Sequence, residues 1–443
     1  MLAANHDGEW VMVSTCDLAG VVRGKAVPWR DLPGRLKSGI GWVPANQTID
    51  PFGGIPADAP YGALGDLRLI PVPETGVRIG GDGAPSQVLM LSDIVETDGS
   101  PWAACPRRFL ADALAALQAE FGLTMLAAFE QEFTLSGLPG DTASFAFRSF
   151  EMVAPLADRI EAWASRAGLP LEQLLPEYGG MQYEITMKPA EGLAAADQTV
   201  LLRELVIAAA RVDGMKASFS PKPSADGIGN GVHIHFSFRD RDGRPATGSG
   251  LLDDPAGPVS PLAGSFCAGI IRHMPALCAL TAPSPPSYLR LVPHSWSAAY
   301  NSFGYRDREA GLRISPVLTM PGMDPAEQAN MEYRAADACA SPYIALGALV
   351  RAGLEGLRTG LQTPPLTAAD PEQMSAAERQ ATPLVRLPDS LEAALEALQS
   401  DRAANGWLAP GQRQAFFAMK RQEAKAAAGM TSAALCTRYA GIY

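Results

Sequence analysis

Apolar and polar residues alternate most clearly along the segment 229–238. In its second part every other residue is apolar: Val232, Ile234, Phe236 and Phe238. His233, His235 and Ser237 lie between them, and a period of two residues predicts a half-buried β-strand. Alternate residues of a strand share a face, so we expect both imidazoles and the Ser237 hydroxyl on one side. Gly229, just before the strand, allows a ligand to approach the backbone closely.

Short strands separated by turns are predicted in the first hundred residues, at 10–13, 21–27, 67–72 and 88–91. A turn at 98–101 precedes Pro106, which opens a helical pattern over 107–121. We place a domain boundary here, which predicts one domain at 1–104 and another at 105–443.

Strands and helices alternate beyond this boundary. Two further strands are predicted at 126–135 and 183–187. Further helices are predicted at 150–167, 197–215, 265–280, from 342 to about 361, 390–399 and 413–428. The stretch 364–383, rich in Ala, Thr, Pro and Glu, predicts an exposed loop.

Carboxylates recur in segments that are otherwise apolar. Glu130 and Glu132 are two residues apart in a predicted strand, and Glu177, Glu184 and Glu332 lie in later segments. Like charges on one buried face repel and are costly to desolvate, so such a face is either wet or holds a cation. His-x-His alone fits a core strand equally well. The acidic strands favour a site for Mg²⁺ or Mn²⁺, which prefer oxygen ligands.

Arginines cluster at a second set of positions near glycine and apolar residues: Arg290, Arg306, Arg308 and Arg313. A single arginine is more often solvated than functional. Beside metal ligands, however, guanidinium groups are suited to binding carboxylate and phosphate.

The composition is that of an ordinary globular protein, with 47% hydrophobic and 19% charged residues among 443. A net charge of −11 without an acidic tail argues against nucleic acid as the main partner. Uninterrupted apolar runs are too short for a membrane span, and the N-terminus lacks a secretory pattern. Six scattered cysteines without a Cys-x-x-Cys pair predict reduced thiols and a cytoplasmic location.

Taken together, these motifs resemble the glutamine synthetase superfamily along nearly the whole chain. The matching segments, in order, are 23–28, 98–101, 106–107, Glu130-x-Glu132, 177–184, 221–223, 229–235, Glu332-x-Arg334, Asp337 and 341–343.

The resemblance implies an α+β fold with a small β-grasp-like N-terminal domain. It also implies a larger catalytic domain, in which helices flank a curved antiparallel sheet. The implied assembly is a homo-oligomer of stacked hexameric rings, a dodecamer, with each site completed by a neighbouring subunit. The implied reaction phosphorylates the γ-carboxylate of glutamate with ATP, and an amine then displaces phosphate.

The resemblance also implies roles for individual residues. One divalent ion would be held by Glu132, Glu177 and Glu184. The other would be held by Glu130, His233 and Glu332. Nucleotide contacts fall on His235, Ser237, Arg308 and Arg313. Glutamate contacts fall on Gly229, Arg290 and Arg334, and Arg308 is also expected to be catalytic.

Departures from the family pattern concern the amine. Trp296 stands where glutamine synthetases proper have a glutamate that binds and deprotonates ammonium, and an indole cannot accept a proton. Asn330 replaces an arginine, and Ile228 replaces an asparagine that contacts glutamate. Asp50, on the N-terminal domain, could serve as a base toward a neighbouring subunit.

These departures predict a ligase that joins glutamate to an organic amine, bulky or aromatic, rather than to ammonia. Ammonia-dependent glutamine synthesis is the nearest alternative. An inactive structural or sensing relative is another, and a metallohydrolase completed by His273 and His294 is a third.

Overall fold

The computed structural model describes residues 9–81, 83–138, 140, 142–249, 258–367, 369–375, 377–378 and 384–443. The N-terminal segment 1–8 and part of the predicted loop 364–383 lie outside the described residues.

The first domain is built on a mixed sheet with the strand order β2-β1-β6-β4-β3, to which β5 adds beside β6. Its elements are β1 (Trp10–Cys16), β2 (Val22–Pro28), α1 (Leu32–Ser38), β3 (Ile40–Trp42), β4 (Leu67–Pro71), β5 (Val77–Gly81) and β6 (Ala84–Glu96). Strands β1 and β6 are parallel, and Val11 and Val13 of β1 are fully buried with Val88 and Met90 of β6. The predicted small β-grasp-like domain is confirmed.

The second domain carries a larger sheet with the order β13-β14-β15-β12-β7-β9-β8. Its strands are β7 (Thr124–Ser136), β8 (Leu171–Pro176), β9 (Gln182–Met187), β10 (Ala190–Glu191), β11 (Lys216–Ser218), β12 (Val232–Arg239), β13 (Phe303–Tyr305), β14 (Leu312–Ile314) and β15 (Met331–Tyr333). All neighbours in this order are antiparallel except β13 and β14. The predicted α+β class is therefore confirmed.

Helices flank this sheet. They are α2 (Pro106–Phe121), α3 (Phe147–Glu151), α4 (Ala154–Ala167), α5 (Gly192–Val212), α6 (Pro261–Thr281), α7 (Pro325–Gln328), α8 (Pro342–Arg358), α9 (Leu391–Ser400), α10 (Pro410–Ala427) and α11 (Ser432–Ala440). The prediction of one helix over 150–167 was wrong, because two helices, α3 and α4, meet there. Pro155 lacks an N–H and clashes with a preceding turn, so a new helix must begin just before it. Helix α5 begins at Gly192, earlier than predicted.

Helix α6 decides which face of β12 is available to a ligand. Phe266 of α6 packs against Phe236 and Phe238, with ring centroids 5.6 and 4.9 Å apart. The alternating apolar side chains of β12 therefore face α6, and the histidines face the opposite side of the sheet. Helix α6 is long and apolar enough to span a bilayer, but 83% of its most apolar window is buried within the protein.

Candidate active site

Strand register brings the candidate acidic and imidazole groups together. Directly paired residues across the sheet are Glu130 with His233, Glu132 with Glu184, and His235 with Glu332. Four strands, β9, β7, β12 and β15, thus contribute to one face of the sheet. On a strand, the ligand set is fixed by pairing rather than by loop conformation.

Glu130 lies between the two histidines. Its Oε2 is 3.3 Å from His233 Nδ1, and its Oε1 is 3.1 Å from His235 Nε2. Burial acts to raise the pKa of Glu130, but its hydrogen bonds with His233 and His235 hold that pKa well below its usual range. Burial lowers the pKa of His233 to about 4. Burial acts in the same direction on His235, yet Glu130 raises the pKa of His235 to about 9.

Glu332 lies between two buried arginines. Its Oε2 accepts a hydrogen bond from Arg313 Nη1 at 2.7 Å, and its Oε1 accepts one from Arg334 Nη1. Burial acts to raise the pKa of Glu332, but Arg334 and the histidines lower it to about 2. Glu332 therefore remains ionised and fixes both guanidinium groups.

Among the described residues, neither Glu132 nor Glu184 forms an ion pair, although the charges of Arg290 and Arg334 act to lower the pKa of Glu132. Burial raises the pKa of Glu132 to about 7, although Gly231 N–H donates to its Oε2 at 2.6 Å. Burial raises the pKa of Glu184 to about 9, and the carboxylates of Glu130 and Glu132 add to the shift. A cation bound beside these two carboxyl groups would stabilise their ionised forms.

Glu177 belongs to the loop between β8 and β9 rather than to a strand. Burial raises the pKa of its carboxyl group. In the same hairpin, Gln182 Nε2 donates to Gly229 O at 2.9 Å and to Asn230 Oδ1 at 3.0 Å. Gln182 thus fixes the loop before β12, a role that the sequence reasoning missed. Its place on the same strand face as Glu184, two residues away, was the available signal.

These residues fit divalent cations. Among the described residues, two groups of possible ligand atoms each lie within 4.8 Å: Glu130, Glu184 and His233, and Glu130, His235 and Glu332. Burial and, after it, the neighbouring carboxylates raise the pKa of Glu184, and a hard cation with oxygen ligands would offset both effects. Glu130, Glu184, His233 and Glu332 of these groups are predicted ligands, and the assignment of residues to each ion stays a prediction.

A cavity of about 390 Å³ opens beside the carboxylates. Its lining includes the following predicted site residues: Glu130, Glu132, Glu177, Glu184, Gly229, His233, Arg290, Trp296, Arg308 and Arg334. Arg290 is buried and donates to Ala336 O at 2.7 Å, whereas Arg308 is exposed at the cavity wall. Arg334 donates to the backbone carbonyl of Trp296 at 3.0 Å, which links the carboxylate cluster to the loop that carries this tryptophan.

Some predicted residues lie away from this cavity. Asp50 is buried in the first domain, where its carboxylate accepts from Phe52 N, Gly54 N and Gln422 Nε2, each at 2.8 Å. Arg313 donates a hydrogen bond to Glu332 rather than lining the cavity. Ser237 lies on β12, two residues beyond His235.

The two histidines of the metallohydrolase alternative do not complete the cluster. His273 Nδ1 contacts Asp401 Oδ2 at 2.6 Å, and His294 is mostly exposed near Asp370. Neither of them belongs to the possible ligand groups among the described residues.

Comparison with known proteins identifies the family. The model of the glutamine synthetase N-terminal domain matches residues 3–102, and that of the glutamine synthetase catalytic domain matches 103–439. The gamma-glutamylpolyamine synthetase of Streptomyces coelicolor is 32% identical over 97% of this chain and 92% of its own length. The glutamine synthetase of Pyrococcus abyssi is 29% identical over 95% and 91%.

Solved structures agree. A crystal structure described as a novel glutamine synthase homolog superposes with a TM-score of 0.90 at 39% identity and covers 99% of this chain and 100% of its own. A complex of GmaS with ADP superposes with a TM-score of 0.80 at 27% identity, covering 96% and 95%. The chain is therefore a member of the glutamine synthetase family and an ATP-dependent carbon–nitrogen ligase.

Proposed function

We propose that this ligase joins glutamate to an organic amine, bulky or aromatic, through a γ-glutamyl phosphate intermediate. The observation that carries the proposal is the position of Trp296. Its indole, 51% exposed, lines the same cavity as the candidate metal ligands and the glutamate-binding arginines. An indole offers an apolar wall and no proton acceptor, which suits an acceptor amine with an organic substituent.

The first half-reaction uses the charged part of the cavity. An oxygen of the glutamate γ-carboxylate attacks the γ-phosphorus of ATP, the bond to ADP breaks, and an acyl phosphate forms. Arg290, Arg334 and the backbone at Gly229 orient glutamate, and Arg308 contacts phosphate oxygens, while Arg313 holds Glu332. When bound by the glutamates and His233, Mg²⁺ or Mn²⁺ offsets the phosphate charge.

The second half-reaction depends on the state of the amine. The amine nitrogen attacks the acyl carbon, phosphate leaves, and the nitrogen loses one proton. An aliphatic ammonium resembles lysine, with a pKa of about 10, and must be deprotonated before it attacks. An arylamine is neutral already, so it does not require the carboxylate that Trp296 replaces.

The proposal includes an assembly and a location. Asp50 would act as a base from the N-terminal domain of a neighbouring subunit, within a dodecamer of two hexameric rings in the cytoplasm. Its carboxylate accepts two hydrogen bonds from within the loop 50–54 and a third from Gln422 of α10, so this role requires the loop to lie at an interface. The Streptomyces relative, named for polyamine glutamylation, supports an acceptor larger than ammonia.

An ADP-release screen tests the function, with several acids combined with ammonia and a broad amine panel. We expect ADP release that requires glutamate, ATP and Mg²⁺ and is fastest with an organic amine. Turnover with ammonia equal to that with every amine would contradict the proposal and leave an ammonia-dependent synthetase. Failure with all combinations would indicate an inactive sensing or structural relative.

A further inference from the structure

Three aromatic side chains meet at the mouth of the active-site cavity. The Tyr178 ring lies 5.1 Å from Phe145 and 4.7 Å from Trp296, measured between centroids, with interplanar angles of 81° and 63°. All three rings line the cavity that holds Glu130 and Glu184. They come from three separate loops, so their meeting is a tertiary feature of the site rather than of any one element.

These rings are unusually open to solvent for their size. Phe145 is 55% exposed, Tyr178 47% and Trp296 51%. Large apolar side chains are normally buried, and a contiguous exposed patch of them indicates a binding surface. Both ring pairs are T-shaped, and all three residues line the cavity.

Two of the three aromatic residues, Phe145 and Trp296, have an unfavourable backbone conformation. Phe145 has φ +56° and Trp296 has φ +51°, values that bulky residues rarely adopt. Phe145 N donates to Pro176 O at 3.1 Å, and Trp296 N donates to Glu309 Oε1 at 2.7 Å. Such conformations persist only where surrounding contacts impose them, and they cluster at ligand clamps.

Two of the three residues are also linked to the candidate catalytic groups through their backbones. Tyr178 follows Glu177 directly and donates its backbone N–H to the Glu177 carboxylate at 3.2 Å. Trp296 is bound through its carbonyl by Arg334, which is paired with Glu332. A substituent held by the rings is therefore next to the groups that activate glutamate.

We propose that Phe145, Tyr178 and Trp296 form an aromatic clamp that binds an aryl group of the acceptor amine, which makes arylalkylamines or arylamines the preferred substrates. Aromatic pairs at these spacings attract each other beyond the area they bury, whereas a saturated ring gains only the burial term. This inference rests on the proposed function, and it adds Phe145 and Tyr178 as determinants of amine specificity.

The test compares two amines of nearly equal size, benzylamine and cyclohexylmethylamine, which differ in aromaticity. We expect kcat/KM to favour benzylamine. Tyr178→Leu and Phe145→Leu should each lower this preference by about 2- to 12-fold, as expected for losing one ring contact. Tyr178→Phe keeps the ring and should preserve it. Phe147→Leu, an exposed aromatic position outside the cavity, is the matched control.

The ratio of two amines within one variant cancels general losses in folding or in glutamate activation. A wild-type ratio near one that no leucine variant changes would overturn the clamp while leaving an organic-amine ligase in place. A wild-type enzyme that uses ammonia and neither amine would overturn the proposed function and the clamp together.

Discussion

Glu132 on β7 and Glu184 on β9 are directly paired across neighbouring strands, so two carboxylates face each other inside the active site. Burial raises their pKa values to about 7 and about 9. Because a metal ion must displace any proton on its ligands, we expect binding of Mg²⁺ or Mn²⁺ to release protons. Affinity should rise about tenfold per pH unit between about pH 7 and 9. Titration calorimetry in two buffers of different ionisation enthalpy measures both effects, and a flat affinity over this range would contradict them.

The same pair predicts how the metal-free protein responds to pH. The pKa of Glu184 is raised in the folded state from an ordinary value of 4.5, so the folded state binds more protons and stability falls as pH rises toward 9. We expect Glu184→Gln, which stays neutral, to be more stable than the wild type by up to about 5 kcal/mol near pH 8.5 in chelator. Denaturant unfolding at pH 6 and 8.5 checks this. An equal pH response of both proteins would count against the raised pKa.

Glu332 is expected to be essential to stability as well as to activity. Glu332→Ala leaves the buried guanidinium groups of Arg313 and Arg334 without their partner, which should cost about 3–5 kcal/mol of unfolding free energy. Glu327→Ala is a suitable control, because its ion pair with Arg239 is exposed and is worth about 1 kcal/mol or less. Denaturant unfolding measures the loss of unfolding free energy in each variant. Similar losses in both would contradict the larger contribution expected of the buried ion pairs.

Glu309 is expected to act as a positioning residue for the amine site. Its carboxylate accepts hydrogen bonds from the backbone N–H groups of His294 and Trp296, at 3.2 and 2.7 Å, and both residues have positive φ. We expect Glu309→Ala to raise the KM for the amine by about tenfold, since each lost charged hydrogen bond is worth about 1.5 kcal/mol or more. The KM for ATP should change far less. Equal increases in both constants would indicate general disruption.

Much of this site follows from periodicity. The alternation along 232–238 predicts a strand with both histidines on one face, and the packing of Phe236 and Phe238 on α6 explains why that face is free. Glu130 and Glu132 obey the same period on β7. Local pattern suffices here because a strand fixes the direction of each side chain.

The remainder depends on contacts between distant loops. Phe145, Tyr178 and Trp296 meet through loops that carry no period, and the bond from Trp296 to Glu309 requires a left-handed backbone that the sequence does not encode locally. The division of ligands also depends on strand pairing, which places His235 opposite Glu332. Only the folded chain shows these relationships.

The most direct test of the central claim is a substitution of Trp296, the residue that we propose makes this chain an organic-amine ligase rather than an ammonia ligase. We expect Trp296→Glu to introduce a carboxylate that binds and deprotonates ammonium, and to remove the apolar cavity wall that the indole forms. The ratio of kcat/KM for ammonia to kcat/KM for the best amine should then rise at least about tenfold, the effect of one well-placed charge. Trp296→Gln, nearly isosteric with glutamate but neutral, should lose amine turnover without this gain. A ratio in Trp296→Glu that equals that of Trp296→Gln would contradict the account.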